Sequence, residues 1–327
     1  MPATILGAMA VTDRLAADYR TISEACGWLD RSERGKLALT GSGAKEFLNG
    51  QVTNEVEELS PGAGVYAAFL THKGKMLGDL RVLDLGAELF LDTERASLQE
   101  LFNLLRRFKV GFDVELHKRT LERGLVSLIG PRAREVAGSS PGGAEHDNAP
   151  AEIDGVPVHL VATDVGLDVI CDSQRTGAVI AALESRGAAA VDEAAAECLR
   201  VERGRPRYGV DVDDSTIPQE AGLNQRAVSF TKGCYVGQET VARLYHRGRP
   251  NRHLRGLRLS APATRGERLR LGERQVGTVG SAVVSPALGP IGLALVRREA
   301  EPGDTVAVGE RDASAEVVEL PFRGAAG

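Results

Sequence analysis

QVGTVGSAVVS (275–285) sits among five other runs of the same texture: RGLRLS (255–260), RLRL (268–271), IGLALVRR (291–298), DTVAV (304–308) and SAEVVEL (314–320). Each is short, rich in apolar and β-branched residues, and parted from the next by Gly, Pro or charged turns. No segment of helical period interrupts them. Short strands at such spacing predict a small all-β sandwich or barrel. The texture changes near residues 245–254, which divides the chain into an N-terminal region, 1–250, and a C-terminal domain, 251–327.

Upstream of that boundary, strands alternate with helices. KLALT (36–40) predicts a strand, and a Gly-Ser-Gly turn then opens a helical pattern over 44–56, with Phe47, Leu48 and Val52 on one face. VYAAFLT (65–71) and LGDLRVLDL (77–85) read as strands joined by a hairpin at His72-Lys73-Gly74-Lys75, and ELFLD (88–92) as a third. SLQELFNLLRRF (97–108) carries a broad apolar stripe that includes Leu101, Leu104, Leu105 and Phe108, so it predicts a core-facing helix. GLVSLIG (124–130) leads into a short helix begun by Pro131. After the loop 138–150, the strands 158–163 and 167–172 precede helices at 177–187 and 194–204. Hairpins mixed with helices favour α+β layers over a doubly wound parallel sheet.

Composition narrows the functional classes. The chain has 327 residues, 43% hydrophobic and 26% charged, which fits a folded multi-domain protein and excludes a disordered or collagen-like one. The net charge of −5 argues against a generally basic nucleic-acid binder. Residues 200–258 run against that average, with twelve Arg and Lys and six Asp and Glu, whereas residues 1–199 hold twenty against thirty. A basic segment in an acidic protein points to a local anionic partner. No basic region precedes the first apolar residues, and no apolar run approaches the length of a membrane span. Four cysteines, Cys26, Cys171, Cys198 and Cys234, lack metal spacing, so a cytoplasmic protein with reduced thiols is expected.

Three segments could carry chemistry. Gly41-Ser42-Gly43 follows a strand and opens a helix, but Glu46 occupies the third glycine position of a dinucleotide fingerprint, which leaves a tight turn as the expected role. KGCYVGQETVAR (232–243) places Cys234 two residues from Lys232 and just before an arginine run. A nearby ammonium favours thiolate over thiol, which makes Cys234 the candidate reactive cysteine; the competing reading is a structural cysteine in a glycine-rich turn. Cys171 and Cys198 fall in core-like patterns. RLYHRGRPNRHLRGLR (243–258) has six Arg, two His and no acid, and reads either as a holder of phosphates or carboxylates or as a solvated linker. Its single aromatic, Tyr245, is too little for a stacking platform.

KGCYVGQE (232–239) resembles the signature of the YgfZ family of folate-binding proteins, bacterial relatives of mitochondrial iron–sulfur assembly factors. LTGSGAKEFLNGQVTNEV (39–56), YAAFLTHKGKMLGDLRV (66–82), LRVERGRPRYGVD (199–211) and IPQEAGLN (217–224) extend the resemblance over most of the chain from about residue 28. It reaches more loosely to the aminomethyltransferase (T-protein) of the glycine-cleavage system. The resemblance implies an α+β, three-lobed fold around a tetrahydrofolate pocket, its last lobe a small β-barrel. It further implies a folate-binding accessory factor for iron–sulfur client proteins, among them tRNA-modifying enzymes, with Cys234 as functional thiol and Lys232 its neighbour. Tyr235, Gln238 and Glu239 of the signature would lie at the folate. Neither DNA nor a membrane is implied as a partner.

The T-protein motifs weigh the alternative, a folate-dependent aminomethyl transfer enzyme. Asp79 in LGDLRV matches one of two paired acids and Gly78 replaces the other. Asp168 in GLDVIC falls where T-proteins carry a pterin-binding Glu, one methylene longer. Ala196 falls where they carry a folate-holding Arg, and the loss removes a charge-assisted bond of about 1.5–3 kcal/mol. Arg200 or the arginines of 243–258 would have to replace it. On these residues the resemblance implies an accessory factor rather than a glycine-cleavage enzyme.

Overall fold

Alternation along the strands decides which side chains meet, because successive residues face opposite sides of a sheet. The computed structural model describes residues 3–310 and 312–324. The chain forms two compact units. One comprises Arg20–Asp192 and Gln225–Gln238; the other takes the residues up to Tyr19, Glu193–Asn224 and the chain from Glu239 onward.

After the N-terminal helix α1 (Ala3–Glu24), the first unit carries eleven strands: β1 (Gly27–Asp30), β2 (Gly35–Thr40), β3 (Gly64–Leu70), β4 (Met76–Asp84), β5 (Leu89–Thr93), β6 (Glu115–Lys118), β7 (Arg123–Ile129), β8 (Asn148–Ile153), β9 (Val156–Thr163), β10 (Gly166–Asp172) and β11 (Ala189–Ala190). Its helices are α2 (Ala44–Asn49), α3 (Leu98–Phe108), α4 (Ala133–Ala137) and α5 (Thr176–Ser185). The strands form two sheets, ordered β3-β4-β5-β2-β6 and β11-β1-β7-β10-β9-β8. Every pair is antiparallel except β1 with β11.

Leu80 and Val82 of β4 share one core with Phe47 and Leu48 of α2 and with Leu101 and Leu105 of α3. Leu167 and Val169 of β10 pack with Val136 of α4 and with Val179 and Leu183 of α5. The intervening residues therefore face inward. There Leu83 and Phe90 of the first sheet meet Leu125, Val161 and Ile170 of the second. The unit is a helix–sheet–sheet–helix stack, and each apolar side chain fully buried in it contributes about 1.5–3 kcal/mol. At Asp79, Arg81, Asp92, Ser127 and Asp168 the same inner layer turns polar.

In the second unit, α6 (Glu193–Glu202) precedes a closed barrel of β12 (Arg252–Leu259), β13 (Arg268–Leu271), β14 (Arg274–Ser285), β15 (Gly289–Arg297), β16 (Thr305–Val308) and β17 (Ser314–Val318), in the order β12-β15-β14-β13-β16-β17. Leu257, Leu269, Val276, Val306 and Val317 fill it. The texture of 255–320 left sandwich and barrel open; closure decides for the barrel and removes the exposed strand edges. Two short helices, α7 (Asn224–Ala227) and α8 (Gln238–Arg247), complete the chain.

Three expectations are corrected. The helical pattern 44–56 ends at Asn49, whose side-chain oxygen turns to accept the Val56 N–H, and Val52 instead bridges to Phe69. Phe108, expected in the core stripe, is exposed. The arginine run is no linker, since α8 takes its first part and β12 its last. Among the described residues no helix is long and apolar enough to cross a membrane.

Candidate functional site

The polar end of the inter-sheet layer is held by two arginines. Arg81, inward on β4, donates from Nε and Nη2 to Asp92 Oδ2 at 2.7 and 2.6 Å and from Nη1 to Asp168 Oδ2 at 2.5 Å. Arg34 reaches Asp92 Oδ1 at 2.7 Å and Glu94 at 2.6 Å. Burial alone would raise the Asp92 carboxyl, but the two guanidinium groups overcome it and hold it down at about 2. Ser127 on β7 donates to Asp168 Oδ1 at 2.5 Å, so both Asp168 oxygens are engaged.

Asp79 lies two residues before Arg81 and on the same face. It is 5% exposed, and no arginine among the described residues is bonded to it. Burial pushes its carboxyl up to about 6, and a hydrogen bond from the Tyr66 hydroxyl offsets this only in part. A carboxyl in that range exchanges its proton near neutral pH, the property of a general acid or base. Tyr66 stands opposite Arg81 in the β3–β4 register. The Arg226 guanidinium covers its ring at 5.1 Å and pairs with Glu145. Beside the same ring is His146, with centroids 6.4 Å apart.

The cysteine segment is strapped to the turn after α2. Ser229 N–H donates to Thr53 O, Val236 N–H to Gly50 O, and the Thr53 hydroxyl to Ala227 O. Lys232 sends its ammonium to three carbonyls, Asn49 O at 2.7 Å, Val52 O at 3.0 Å and Asn54 O at 2.6 Å. That spends all three N–H groups. Burial pushes the ammonium down to about 8, with Glu55 and Glu57 opposing. Its donors are thus committed to the main chain, and none is left to bond the Cys234 sulfur. Of the four cysteines, all within the described residues, three are buried and Cys234 is exposed. Tyr235 is buried, its ring 5.4 Å from the Lys232 ammonium. Asn54 joins strap to polar layer, since its Nδ2 donates to Tyr66 O at 2.9 Å and Arg226 O at 3.3 Å while its own carbonyl receives Lys232.

The GCVT N-terminal domain family matches residues 7–232, and the glycine cleavage T-protein C-terminal barrel domain matches residues 252–323. The chain belongs to the glycine-cleavage T-protein family. An aminomethyltransferase of Rubrobacter xylanophilus is 29% identical over 94% of this chain and 86% of its own length. One from Corynebacterium aurimucosum is 28% identical over 95% and 90%. The fold matches the crystal structure of aminomethyltransferase T from Bartonella henselae with a TM-score of 0.85 at 24% identity, covering 95% of this chain and 90% of that one. The α+β fold with its terminal barrel is the T-protein fold.

Within that family frame, Asp79 and Asp168 share one buried layer, and Lys232, Cys234 and Tyr235 share one strap in the same unit. Gln238 opens α8, and Glu239 is exposed in its first turn. Arg200 lies on α6, and its five N–H groups are spent on Glu197, Asp211, Arg205 O and Ser281. Of the arginine run, Arg252 pairs with Glu220 and Arg255 with Glu319, whereas Arg243, Arg247 and Arg249 are exposed. The Gly41 turn is closed off by Asp113, which accepts from Ser42 and Gly43. Among the described residues no group of three or more His, Cys, Asp or Glu is placed to hold a metal ion. Sequence reasoning missed Tyr66, Arg81, Asp92, Ser127, Glu145, His146 and Arg226. For Arg81 and Tyr66 a signal existed, since strand alternation puts Arg81 on the face of Asp79 and the hairpin register sets Tyr66 across from it.

Proposed function

We propose that the polar end of the inter-sheet layer binds tetrahydrofolate or a one-carbon derivative, and that the protein is a folate-binding accessory factor of the YgfZ type. In this reading it supports assembly or repair of iron–sulfur proteins, tRNA-modifying enzymes among them, with Cys234 as the functional thiol. One observation carries it. The exposed Cys234 sits on a strap that Lys232 and Asn54 fasten to the strand bearing Tyr66, next to Asp79. Thiol and carboxyl are thus positioned by one scaffold. A pterin is flat and presents both ring N–H groups and acceptors, which suits a buried carboxyl of raised pKa and an unpartnered imidazole nitrogen nearby. Asp79, Tyr66 and Asp168 would hold such a ligand, which carries the one-carbon unit when bound.

Aminomethyl transfer is the second reading. It is favoured by Asp79, whose carboxyl near 6 could move a proton, and by the names of the curated relatives. Gly78 and Ala196, in place of the second acid and the folate-holding Arg, weaken it.

Titration calorimetry with tetrahydrofolate tests the pocket. Wild type and Cys234→Ala are expected to bind alike, and Asp79→Asn at least about tenfold more weakly, a loss of about 1.4 kcal/mol. No binding by wild type removes the folate reading. In a strain lacking the gene, Cys234→Ala should fail to restore iron–sulfur tRNA-modifying activity; full restoration removes the thiol role. Methylene-tetrahydrofolate formed from an aminomethylated lipoyl carrier would decide for the transferase.

A further inference from the structure

His146 carries two local costs at once. It is 7% exposed, and its buried Nδ1 has no hydrogen-bond partner among the described residues. An orphaned polar atom of this kind costs about 1–3 kcal/mol. Its φ of 75° is left-handed, a region a non-glycine residue enters at about 1–3 kcal/mol. The backbone is nevertheless over-determined. His146 N–H donates to Ala162 O at 2.8 Å, its carbonyl accepts from Asn148 Nδ2 at 3.3 Å, and a Cβ at Gly64 would stand 2.8 Å from that carbonyl. An apolar side chain of similar size would fill the space without the orphan, so packing does not account for the imidazole.

Its neighbours point to a ligand. The ring lies beside Tyr66, the residue bonded to Asp79, and Nε2 is 3.8 Å from Glu145 Oε1. Glu145 is itself fixed by Arg226, which covers the Tyr66 ring. Burial, reinforced by Arg81 and Arg226, keeps the imidazole neutral by pushing it down to about 3. In a neutral ring the carboxylate on the Nε2 side favours the proton there, which leaves the Nδ1 lone pair as an acceptor.

We propose that His146 is a ligand-contacting residue of this site, its Nδ1 accepting a hydrogen bond from a ring or amino N–H of the bound pterin. The inference rests on the folate reading and adds a recognition residue to it. Binding then satisfies the buried nitrogen and offsets the strain at 146.

The test uses the full chain labelled with 15N-histidine and titrated with tetrahydrofolate; the His146 signals are assigned by their loss in His146→Gly. The Nδ1 resonance is expected to shift with saturation. His146→Gly suits the left-handed backbone and should keep the wild-type circular dichroism while binding at least about tenfold more weakly, about 1.4 kcal/mol. A His146 Nδ1 that stays unmoved while wild type binds overturns the inference alone, whatever affinity the variant shows. Failure of wild type to bind tetrahydrofolate removes the folate reading, and this inference with it.

Discussion

Three carbonyls converging on one ammonium make Lys232 a structural clamp. A compact –NH3+ can serve acceptors in three directions, whereas a planar guanidinium cannot. Lys232→Met leaves those carbonyls without their donor and should cost about 3 kcal/mol, and Lys232→Arg should not restore it. Urea unfolding of both variants checks this; a loss below about 1 kcal/mol for the Met variant would rule out the clamp. Cys234 gives the complementary prediction. Burial pushes the Cys26 thiol up to about 11 and that of Cys198 to about 12, and raises Cys171 as well. A disulfide reagent should therefore modify Cys234 alone in the native protein and all four thiols after unfolding. Labelling of a second cysteine under native conditions would contradict the burial. At this scale the sequence was legible in part. Core patterns for Cys171 and Cys198 are borne out, but the short chain distance from Lys232 to Cys234 did not tell where a four-carbon side chain points.

The cysteine strap ends at Gly237, whose φ is 86° and whose added Cβ would stand 2.6 Å from Thr71 O in the β3–β4 turn. Neither backbone can yield without loosening the strap or the hairpin. Gly237→Ala should cost about 2–3 kcal/mol, above the ordinary glycine penalty because a steric term adds to the conformational one. The damage should be local. Amide exchange should accelerate at Ser229 and Val236, whose N–H groups anchor the strap, and stay unchanged along β7. Equal acceleration in both places would mean that the strap is no separate element. Helix α8 just beyond it was not legible from period, because Val241 is its sole buried side chain and, Ala242 and Leu244 apart, the remainder is charged or polar. The true end of α2 was hidden for a different reason: Asn49 and Thr53 turn their side chains onto the backbone, a choice an apolar pattern does not record.

Across the whole molecule, the fold was readable wherever one face of an element is buried, since a period of two or of 3.6 residues then survives in the sequence. The polar layer between the sheets was not, because it arises where two sheets pack face to face and bring together residues far apart in the chain, such as Arg81 of β4 and Asp168 of β10. That layer should set the acid response of the fold. Asp79 is raised to about 6 in the folded state, so below its ordinary value near 3.8 its contribution is fully present, and it is lost as pH rises through 6. Asp92, held at about 2, behaves oppositely: its contribution is present above 3.8 and lost as pH falls toward 2. His146 shares that sense, its contribution present above 6.5 and lost as pH falls. Asp79 and His146 therefore work against each other as pH falls from about 6 to about 4, and the wild-type stability curve should be flattened there. Asp79→Asn removes one side of that balance. Above about pH 7 the variant should gain up to about 3 kcal/mol over wild type, the linkage worth of Asp79, and the gain should vanish toward about pH 3, below the ordinary value of the unfolded carboxyl, where both forms are uncharged at this position. Thermal denaturation of wild type and variant at a series of pH values checks the sign. A gap that is independent of pH would mean that Asp79 is not held as a protonated carboxyl in the folded protein.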